Sequence, residues 1–319
     1  MIAGVARKLD AVYHRALRGS LNPHFLIRGG GFLQPRVAVI GAGRVGTAFA
    51  LRLKEKGYPV VAVASRSPAA AGRLAEATGA RVCPTGAEAA REGELVFLTT
   101  PDGAIAAVAA EVARAGGFRP GQFVAHASGA LPAAVLEPAR QAGATVFSLH
   151  PLQSFATPEL AVERLPGSCF TFEGDADALP LARRLVADLG GTLFEITAAA
   201  KPLYHAAACA ASNYLVTLLR LVLILAEQAG LPRDGIFPAF LPLIQGTLQN
   251  VGAVGPVAGL TGPVARGDAG TIRQHFQAMG RDEWELYRLL GLHTVKIARE
   301  KGLAAEAATE LEKIFCEVK

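Results

Sequence analysis

Between residues 36 and 196 the chain alternates short apolar runs with longer stretches whose apolar positions recur at helical spacing. The runs at 36–41, 59–64, 81–83, 95–100, 122–127, 145–149, 168–173 and 192–196 have the length and β-branched content of buried strands. Between most of them lie Ala-, Leu- and Arg-rich stretches, such as 69–78, 104–115, 131–142 and 178–189, that read as helices. This alternation predicts an α/β fold, a Rossmann-type doubly wound and mainly parallel sheet. After Ile196 the strand pattern stops. Residues 200–229 read as one long helix of about 30 residues and roughly 45 Å, ended by Gly230 and Pro232. Further helices are predicted at 234–252, 268–279, 281–299 and 303–317. The most apolar run, Tyr214–Ala226, is too short for a bilayer, carries Arg220 in its middle, and reads as a buried helix. The 319 residues therefore divide into an extension at 1–35, a sheet domain at 36–198 and an all-helical domain at 199–319 built on the long helix. The helical domain is expected to bind substrate and to dimerise.

The first strand–helix corner carries the sharpest signal. Val37–Ala50 reads VAVIGAGRVGTAFA, a short strand, a G-x-G-x-x-G turn and the start of a helix. Gly41 permits the tight turn, Gly43 lets backbone approach a pyrophosphate, and Gly46 lets the helix pack close to the strand. Arg44 and Val45 complete the turn, and the helix N-terminus offers free N–H groups to phosphate oxygens. In a chain with 35 glycines the motif alone is weak. The flanking strand and helix are what make it a dinucleotide site.

Charge and cysteine content narrow the picture. The net charge is +5, and residues 1–36 alone carry six basic groups and one acid, so the remaining body is neutral. Nothing in that balance points to nucleic acid or a membrane as partner. Residues 1–35 have a weakly helical pattern, end in Gly29-Gly30-Gly31 and Pro35, and are expected to be a poorly ordered extension without the apolar core of a signal peptide. Cys83, Cys169, Cys209 and Cys316 form no C-x-x-C pair, which favours reduced thiols in the cytoplasm over a disulfide framework or a metal site.

The second strand ends in Ser65-Arg66-Ser67, where an NAD-binding unit usually places an acid for the ribose hydroxyls. A guanidinium and two hydroxyls suit a 2′-phosphate, so the expected cofactor is NADP(H). Thr99, Thr100 and Pro101, at the end of strand four, are placed to line the nicotinamide ribose. Three further segments should converge there: His126–Ala130 after strand five, Ser148–Pro151 after strand six, and the start of the long helix, KPLYHAAACAASNYL. On a regular helix Lys201, His205 and Ser212 fall near one line, with Asn213 further round. Ser128, His150, Lys201 and His205 can supply a proton near neutral pH and donors for a carbonyl oxygen or carboxylate. Each has a plainer alternative: a solvated lysine, a core histidine, a packing amide at Asn213, and a strand-end cap at His126. Arg266, in the Leu260–Asp268 loop, can grip a carboxylate or simply pair with Asp268.

GAGRVG, LTTPD, HASGAL, SLHPLQSF, KPLYHAAACAASNYL and LTGPVARGD, in this order, resemble the Rossmann-like proteins with a DUF2520 C-terminal domain. The resemblance runs from about Arg36 to the C-terminus. That family is similar to pyrroline-5-carboxylate reductase, ketopantoate reductase, prephenate dehydrogenase and the β-hydroxyacid dehydrogenases, and some of its members have been assigned as an alternative ketopantoate reductase. The resemblance implies hydride transfer between NAD(P) and a small carboxylate substrate, and a dimer. It also implies a role for His150-Pro151 like that of the His-Pro pair of prephenate dehydrogenase, whose catalytic histidine is held by a serine matching Ser128. The K-x-x-x-N pair of the β-hydroxyacid and ketopantoate enzymes is not kept: His205 stands four residues after Lys201, and Asn213 can align only in a register that puts His205 and Cys209 in the pair's places. The expected function is an NADPH-dependent oxidoreductase that reduces a small carboxylate-bearing carbonyl, ketopantoate-like, or an imine. The alternatives are an NADP-binding sensor without turnover and an F420-dependent NADP oxidoreductase.

Overall fold

A computed structural model describes Ile27–Arg28, Gly31–Phe32 and residues 34–316 of the chain. Most of the extension at 1–35 lies outside the described residues; within it, Ile27–Arg28 and Gly31–Phe32 pair as a short antiparallel ladder. The chain forms two compact units, the first ending at Ala208 and the second beginning at Cys209.

The first unit is a sheet with eight strands, β1 (Val37–Ile40), β2 (Val60–Ala64), β3 (Arg81–Val82), β4 (Leu95–Leu98), β5 (Phe123–His126), β6 (Thr145–Leu152), β7 (Cys169–Gly174) and β8 (Thr192–Glu195). Their spatial order is β8-β7-β6-β5-β4-β1-β2-β3. Every pairing is parallel except β6 with β7. From β6 to β3 this is the doubly wound order, with the winding reversing between β1 and β4, where such folds open a ligand crevice at the strands' carboxyl ends. Alternation along the strands explains the layering. Val37, Val39, Leu95 and Phe97 enter one core, whereas Ala38, Ile40, Val96 and Leu98 enter the core on the opposite face. Both cores are closed, as burial on two faces demands of a parallel sheet.

Helices α1 (Arg44–Glu55), α2 (Pro68–Thr78), α3 (Gly86–Glu92), α4 (Asp102–Arg114), α5 (Glu137–Gln141), α6 (Pro158–Arg164) and α7 (Leu179–Asp188) supply those layers. Phe49 on α1 stacks on Phe97 of β4 with ring centroids 4.7 Å apart and lies 6.3 Å from Phe170 of β7. Burying a side chain of this size contributes roughly 2–3 kcal/mol. The predicted helix over 131–142 is instead a 3₁₀ turn at Ala133–Leu136 followed by the short α5. Pro132 and Pro138 bracket that turn, and proline cannot donate the hydrogen bonds of a longer helix.

The predicted strand 145–149 also needs correction, because β6 continues to Leu152. Thr145–Ser148 pairs with β5, and Phe147–Leu152 pairs with the antiparallel β7. The second half of β6 thus runs on beyond the last residue of β5 and carries His150 with it. Pro151 is tolerated because that half has a partner on one side only.

Helix α8 (Lys201–Cys209) begins at the end of the first unit. The long helix predicted over 200–229 is not regular: a π turn at Ala210–Tyr214 separates α8 from α9 (Leu215–Gln228). A π turn holds more residues per turn than an α-helix, so Ser212 loses the 100° register that would align it with Lys201 and His205. The second unit continues through α10 (Arg233–Gly259), α11 (Pro263–Arg266), α12 (Ala269–Ala278), α13 (Arg281–Lys301) and α14 (Ala305–Cys316). Gly255, with φ +81°, kinks α10, and Pro256 follows it. The core of this unit is small and gathers Ile272, Phe276, Trp284, Val295, Leu311 and Phe315. The expectation that Tyr214–Ala226 is buried fails: in α9 only Leu221 and Ala226 are, and Val216 and Leu218 are exposed. Ala198–Gln228, only 6% buried over its most apolar window, is long and apolar enough to cross a membrane by length and composition. The apolar run Tyr214–Ala226 is the inner part of that stretch.

Candidate functional site

The glycine corner has the shape its motif predicts. Gly41 has φ +111°, and a Cβ there would lie 2.8 Å from the carbonyl of Thr99. At Gly46 a Cβ would come within 2.1 Å of the Gly41 carbonyl oxygen, so only glycine lets α1 start this close to β1. Gly43 is different, since a Cβ there would meet nothing within 4 Å. Gly43 is the N-cap of α1, makes no side-chain cap, and is followed by a first turn without acids. No side chain caps the N–H groups of that turn, and they carry the helix's positive dipole end, the arrangement a pyrophosphate requires. Arg44 and Val45 open the helix, and Arg44 Nη1 donates to the Phe155 carbonyl at 3.3 Å.

Ser65, Arg66 and Ser67 follow β2. Ser67 caps α2 by accepting from Ala70 N, and its own N–H donates to Ser65 Oγ. Both hydroxyls thus shape the turn, while Arg66 is exposed. Beside the corner, Thr99 Oγ1 donates to the Gly41 carbonyl at 2.7 Å. Pro101 is the N-cap of α4, and the Thr100 hydroxyl is buried without a hydrogen-bond partner among the described residues. An orphaned hydroxyl at the end of β4 and an open glycine cradle are what a bound dinucleotide would complete.

A second group of polar side chains forms at the ends of β5 and β6 and the start of α8, all within the first unit. Ser128 is its hub. Its Oγ donates to Asp102 Oδ2 at 2.6 Å and accepts from Ala130 N and Leu131 N, while its own N–H donates to His126 Nδ1. Its carbonyl accepts from Ser148 Oγ and from Lys201 Nζ, each at 3.1 Å. Lys201 Nζ also donates to Ser148 Oγ at 2.7 Å. The lysine is completely buried, and that desolvation, only partly offset by Glu173 and Asp102, pulls its pKa down to about 8. Lys201 therefore braces the β5 and β6 ends and is not presented to solvent.

The two histidines separate cleanly. His126 Nδ1 accepts from Ser128 N and Nε2 faces the Pro132 carbonyl at 3.2 Å, so backbone groups occupy both nitrogens. This is the strand-end cap foreseen for it. His150 makes no such backbone pair; its Nδ1 lies 2.7 Å from the hydroxyl of Tyr204 on α8. The rings meet edge to face with centroids 5.6 Å apart, and the His205 ring lies 6.4 Å from that of His150 on α8's neighbouring position. Both histidines face Gly129, where a Cβ would come within 2.9 Å of His150 Nε2 and of His205 Cδ2. Burial first, then the Lys201 charge, pushes both His126 and His150 down to a pKa of about 4. Burial raises the phenol of Tyr204, so at neutral pH the pair is a neutral imidazole and a protonated phenol.

The structure thus brings Ser128, His150, Lys201 and His205 together, as the sequence suggests, but not in the arrangement implied by the resemblance. Ser128 does not hold His150; Tyr204 does. Asp102, placed by the sequence only at the end of strand four beside the nicotinamide ribose, and Tyr204, given no role by it, lie inside the motifs LTTPD and KPLYH. For Tyr204 the i, i+1 spacing to His205 hides a shared site, because its partner sits on β6. Asn213 belongs to the second unit and is exposed, as is Arg266. The Asp268 carboxylate caps α12, accepting from Thr271 N at 3.0 Å and from Thr271 Oγ1 at 2.7 Å. Among the described residues no cluster of metal-ligating side chains occurs.

The family model of the Rossmann-like domain matches residues 28–151, and that of DUF2520, a domain of unknown function, matches residues 168–294. The chain is a Rossmann-like and DUF2520 domain protein. Solved structures agree with this fold. A Bacteroides fragilis protein provisionally named an NADP oxidoreductase is similar with TM-score 0.66 and 24% identity, over 84% of this chain and 98% of that one. A Thermotoga maritima protein is similar with TM-score 0.59 and 27% identity, over 86% and 98%. A reductive aminase from Aspergillus terreus, solved with NADPH and ethyl levulinate, gives TM-score 0.57 at 18% identity, over 89% and 93%. At such identities the likeness is one of fold, and the chemistry has to be argued from the site.

Proposed function

We propose that this Rossmann-like and DUF2520 domain protein is an NADPH-dependent reductase of a small carbonyl or imine compound, with carboxylate-bearing 2-oxo acids such as ketopantoate as the first substrates to test. One observation carries the reading. An unbroken set of contacts links the glycine corner to the titratable cluster: Thr99 to Gly41, then through Pro101 to Asp102, Ser128 and Lys201. A nucleotide on the corner and a substrate beside His150 would therefore share one rigid floor. Gly41, Gly43, Arg44, Val45 and Gly46 would hold the pyrophosphate, Ser65, Arg66 and Ser67 the 2′-phosphate, and Thr99, Thr100 and Pro101 the ribose next to the nicotinamide. The names of the Bacteroides and Aspergillus proteins support NADP(H) as the cofactor.

When bound, the cofactor would supply a hydride to the unsaturated carbon. The chain's part is to place that carbon, to exclude water, and to deliver a proton to the heteroatom. His150 can donate that proton from Nε2, which faces Gly129, and His205, whose Cδ2 edge faces the same glycine, is the other candidate donor. Lys201, buried behind Ser128 and Ser148, orders the floor and adds positive charge near a developing alkoxide. The free thiols, of which Cys169 and Cys316 are exposed, fit a cytoplasmic protein. A second copy of the chain is the partner we favour for the helical unit, where Val216, Phe237, Leu243, Leu248 and Val254 lie exposed on α9 and α10.

NADPH binding followed by fluorescence, and NADPH oxidation followed at 340 nm with a panel of 2-oxo acids and cyclic imines, test the reading together. Turnover with at least one panel member is expected. Tight binding of NADPH with no oxidation by any of them would instead make the protein a sensor.

A further inference from the structure

We infer that Tyr204 is a positioning residue that fixes His150 as the tautomer protonated on Nε2, so that the proton offered to substrate sits on the edge facing Gly129. This deepens the reductase reading and rests on it only for the chemical step.

The geometry leaves few choices. His150 Nδ1 and the Tyr204 hydroxyl are 2.7 Å apart, so one of them donates to the other. A neutral imidazole has one donor and one acceptor nitrogen, and which is which follows from the partner of either one. The residues acting on this pair are Lys201, His205, Asp102, Cys169 and Thr171; Lys201 and Asp102 reach the imidazole through their charges, and His205 also through its ring. The buried Thr171 hydroxyl, cross-strand from His150, lies beside the phenol; it falls short of a full hydrogen bond and only partly offsets the effect of burial. The phenol keeps its proton at neutral pH, and His150 Nδ1 is the acceptor within reach of it. Nε2 then carries the ring proton. That nitrogen lies against the bare backbone of Gly129, where a side chain would block it.

The contrast with His126 supports the assignment. There a backbone N–H donates to Nδ1 and a carbonyl accepts from Nε2–H, so the same tautomer is set by main chain and both nitrogens are used up. At His150 a side chain takes the place of the backbone donor, and Nε2 lies against glycine rather than a carbonyl. In the proton step, a substrate oxygen made basic as its carbon is reduced takes the Nε2 proton. Nδ1 takes the phenolic proton in the same movement, leaving neutral imidazole and a phenolate. The resting tautomer returns when Nδ1 gives its proton back to the phenolate and Nε2 takes one from water, which leaves as hydroxide. Each bond to hydrogen that breaks is matched by one that forms.

The test reads the imidazole directly. In protein labelled with ¹⁵N-histidine, two-bond proton–nitrogen correlation at pH 7 should show His150 with a protonated Nε2 and an acceptor-type Nδ1, the signal being assigned by its loss in His150→Asn. Tyr204→Phe, which keeps the ring, should shift His150 toward a mixture of tautomers. In turnover assays the same variant should lower kcat by roughly 10- to 100-fold, the scale of general acid–base contributions, with NADPH affinity within about twofold of wild type. A protonated Nδ1 in the wild-type spectrum would overturn the proposal, as would a Tyr204→Phe protein whose His150 signals and kcat are unchanged. Should Tyr204→Phe fail to fold, the wild-type spectrum alone decides. An Nε2-protonated His150 in a protein that oxidises NADPH with no substrate would defeat the reductase reading and leave the tautomer assignment standing.

Discussion

The sheet unit and the helical unit have similar appetites for apolar residues and satisfy them differently. In the sheet unit β1 and β4 are buried at every position, and two cores close on either face. Even its buried charge, Lys201, finds both of its hydrogen-bond partners, Ser128 and Ser148, within the same unit. In the helical unit the core draws on α11 to α14, while α9 and α10 leave large apolar side chains in the open. The lesson is that periodicity tells which residues seek burial, but not whether the chain itself provides the cover. The first unit covers its own apolar surface, and the second leaves part of its own exposed.

The largest expected effect attacks the closed unit at its tightest point. Gly46→Val places a branched side chain where even a Cβ meets the Gly41 carbonyl at 2.1 Å and Thr99 Oγ1 at 2.4 Å. A loss of about 3 kcal/mol or more is expected from such overpacking, read from urea unfolding, with NADPH binding abolished. A variant as stable as wild type would show that α1 can back away from β1.

Lys201→Met asks whether self-sufficiency extends to the buried ammonium. Its folded pKa of about 8 lies below its ordinary 10.5, so between these values the unfolded chain binds the extra proton and wild-type stability should rise with pH. The gain, on the order of 3 kcal/mol over that window, should be missing from Lys201→Met. His126 and His150 work in the same sense at lower pH: both are held at about 4 against an ordinary 6.5, so stability should fall as pH drops through that interval. Denaturation curves at a series of pH values measure both slopes, and identical slopes in wild type and Lys201→Met would refute the lysine's part.

For the open unit the corresponding break is Leu243→Glu with Leu248→Glu. Both leucines are more than half exposed, so neither change should unfold the chain, whereas a dimer burying them would have to desolvate two carboxylates. Dissociation should strengthen by roughly a hundredfold, about 2.7 kcal/mol, seen as a shift from dimer to monomer by light scattering. A wild-type protein that is monomeric, or that needs detergent to stay in solution, would count against a second copy as the cover. The smallest effect belongs to Arg66→Ala. An exposed guanidinium on a 2′-phosphate should be worth about a tenfold change in NADPH affinity, or 1.4 kcal/mol, with NADH binding unaltered; equal losses for both cofactors would remove Arg66 from phosphate recognition.

Local signals were legible where one short stretch carries the whole requirement. The glycine corner, the eight strands and the absence of an acid after β2 each depend on neighbours within a few residues. The errors arise where a distant partner decides. His150 lies inside a longer β6 because an antiparallel β7 extends the ladder past β5. Ser128 is engaged by Asp102, Lys201 and Ser148, so it cannot hold His150 as well. A π turn, invisible to a 3.6-residue period, takes Ser212 out of line with Lys201.

By itself the sequence determined the strand–helix alternation, the dinucleotide corner and the set of polar side chains that must find partners, because backbone sterics and apolar spacing act over a few residues. Only the tertiary structure decided which partner each received: Tyr204 for His150, Ser128 and Ser148 for Lys201, open space for α9 and α10. Hydrogen-bond partners and buried surface are matched across loops of any length, and residue order along the chain does not encode that distance.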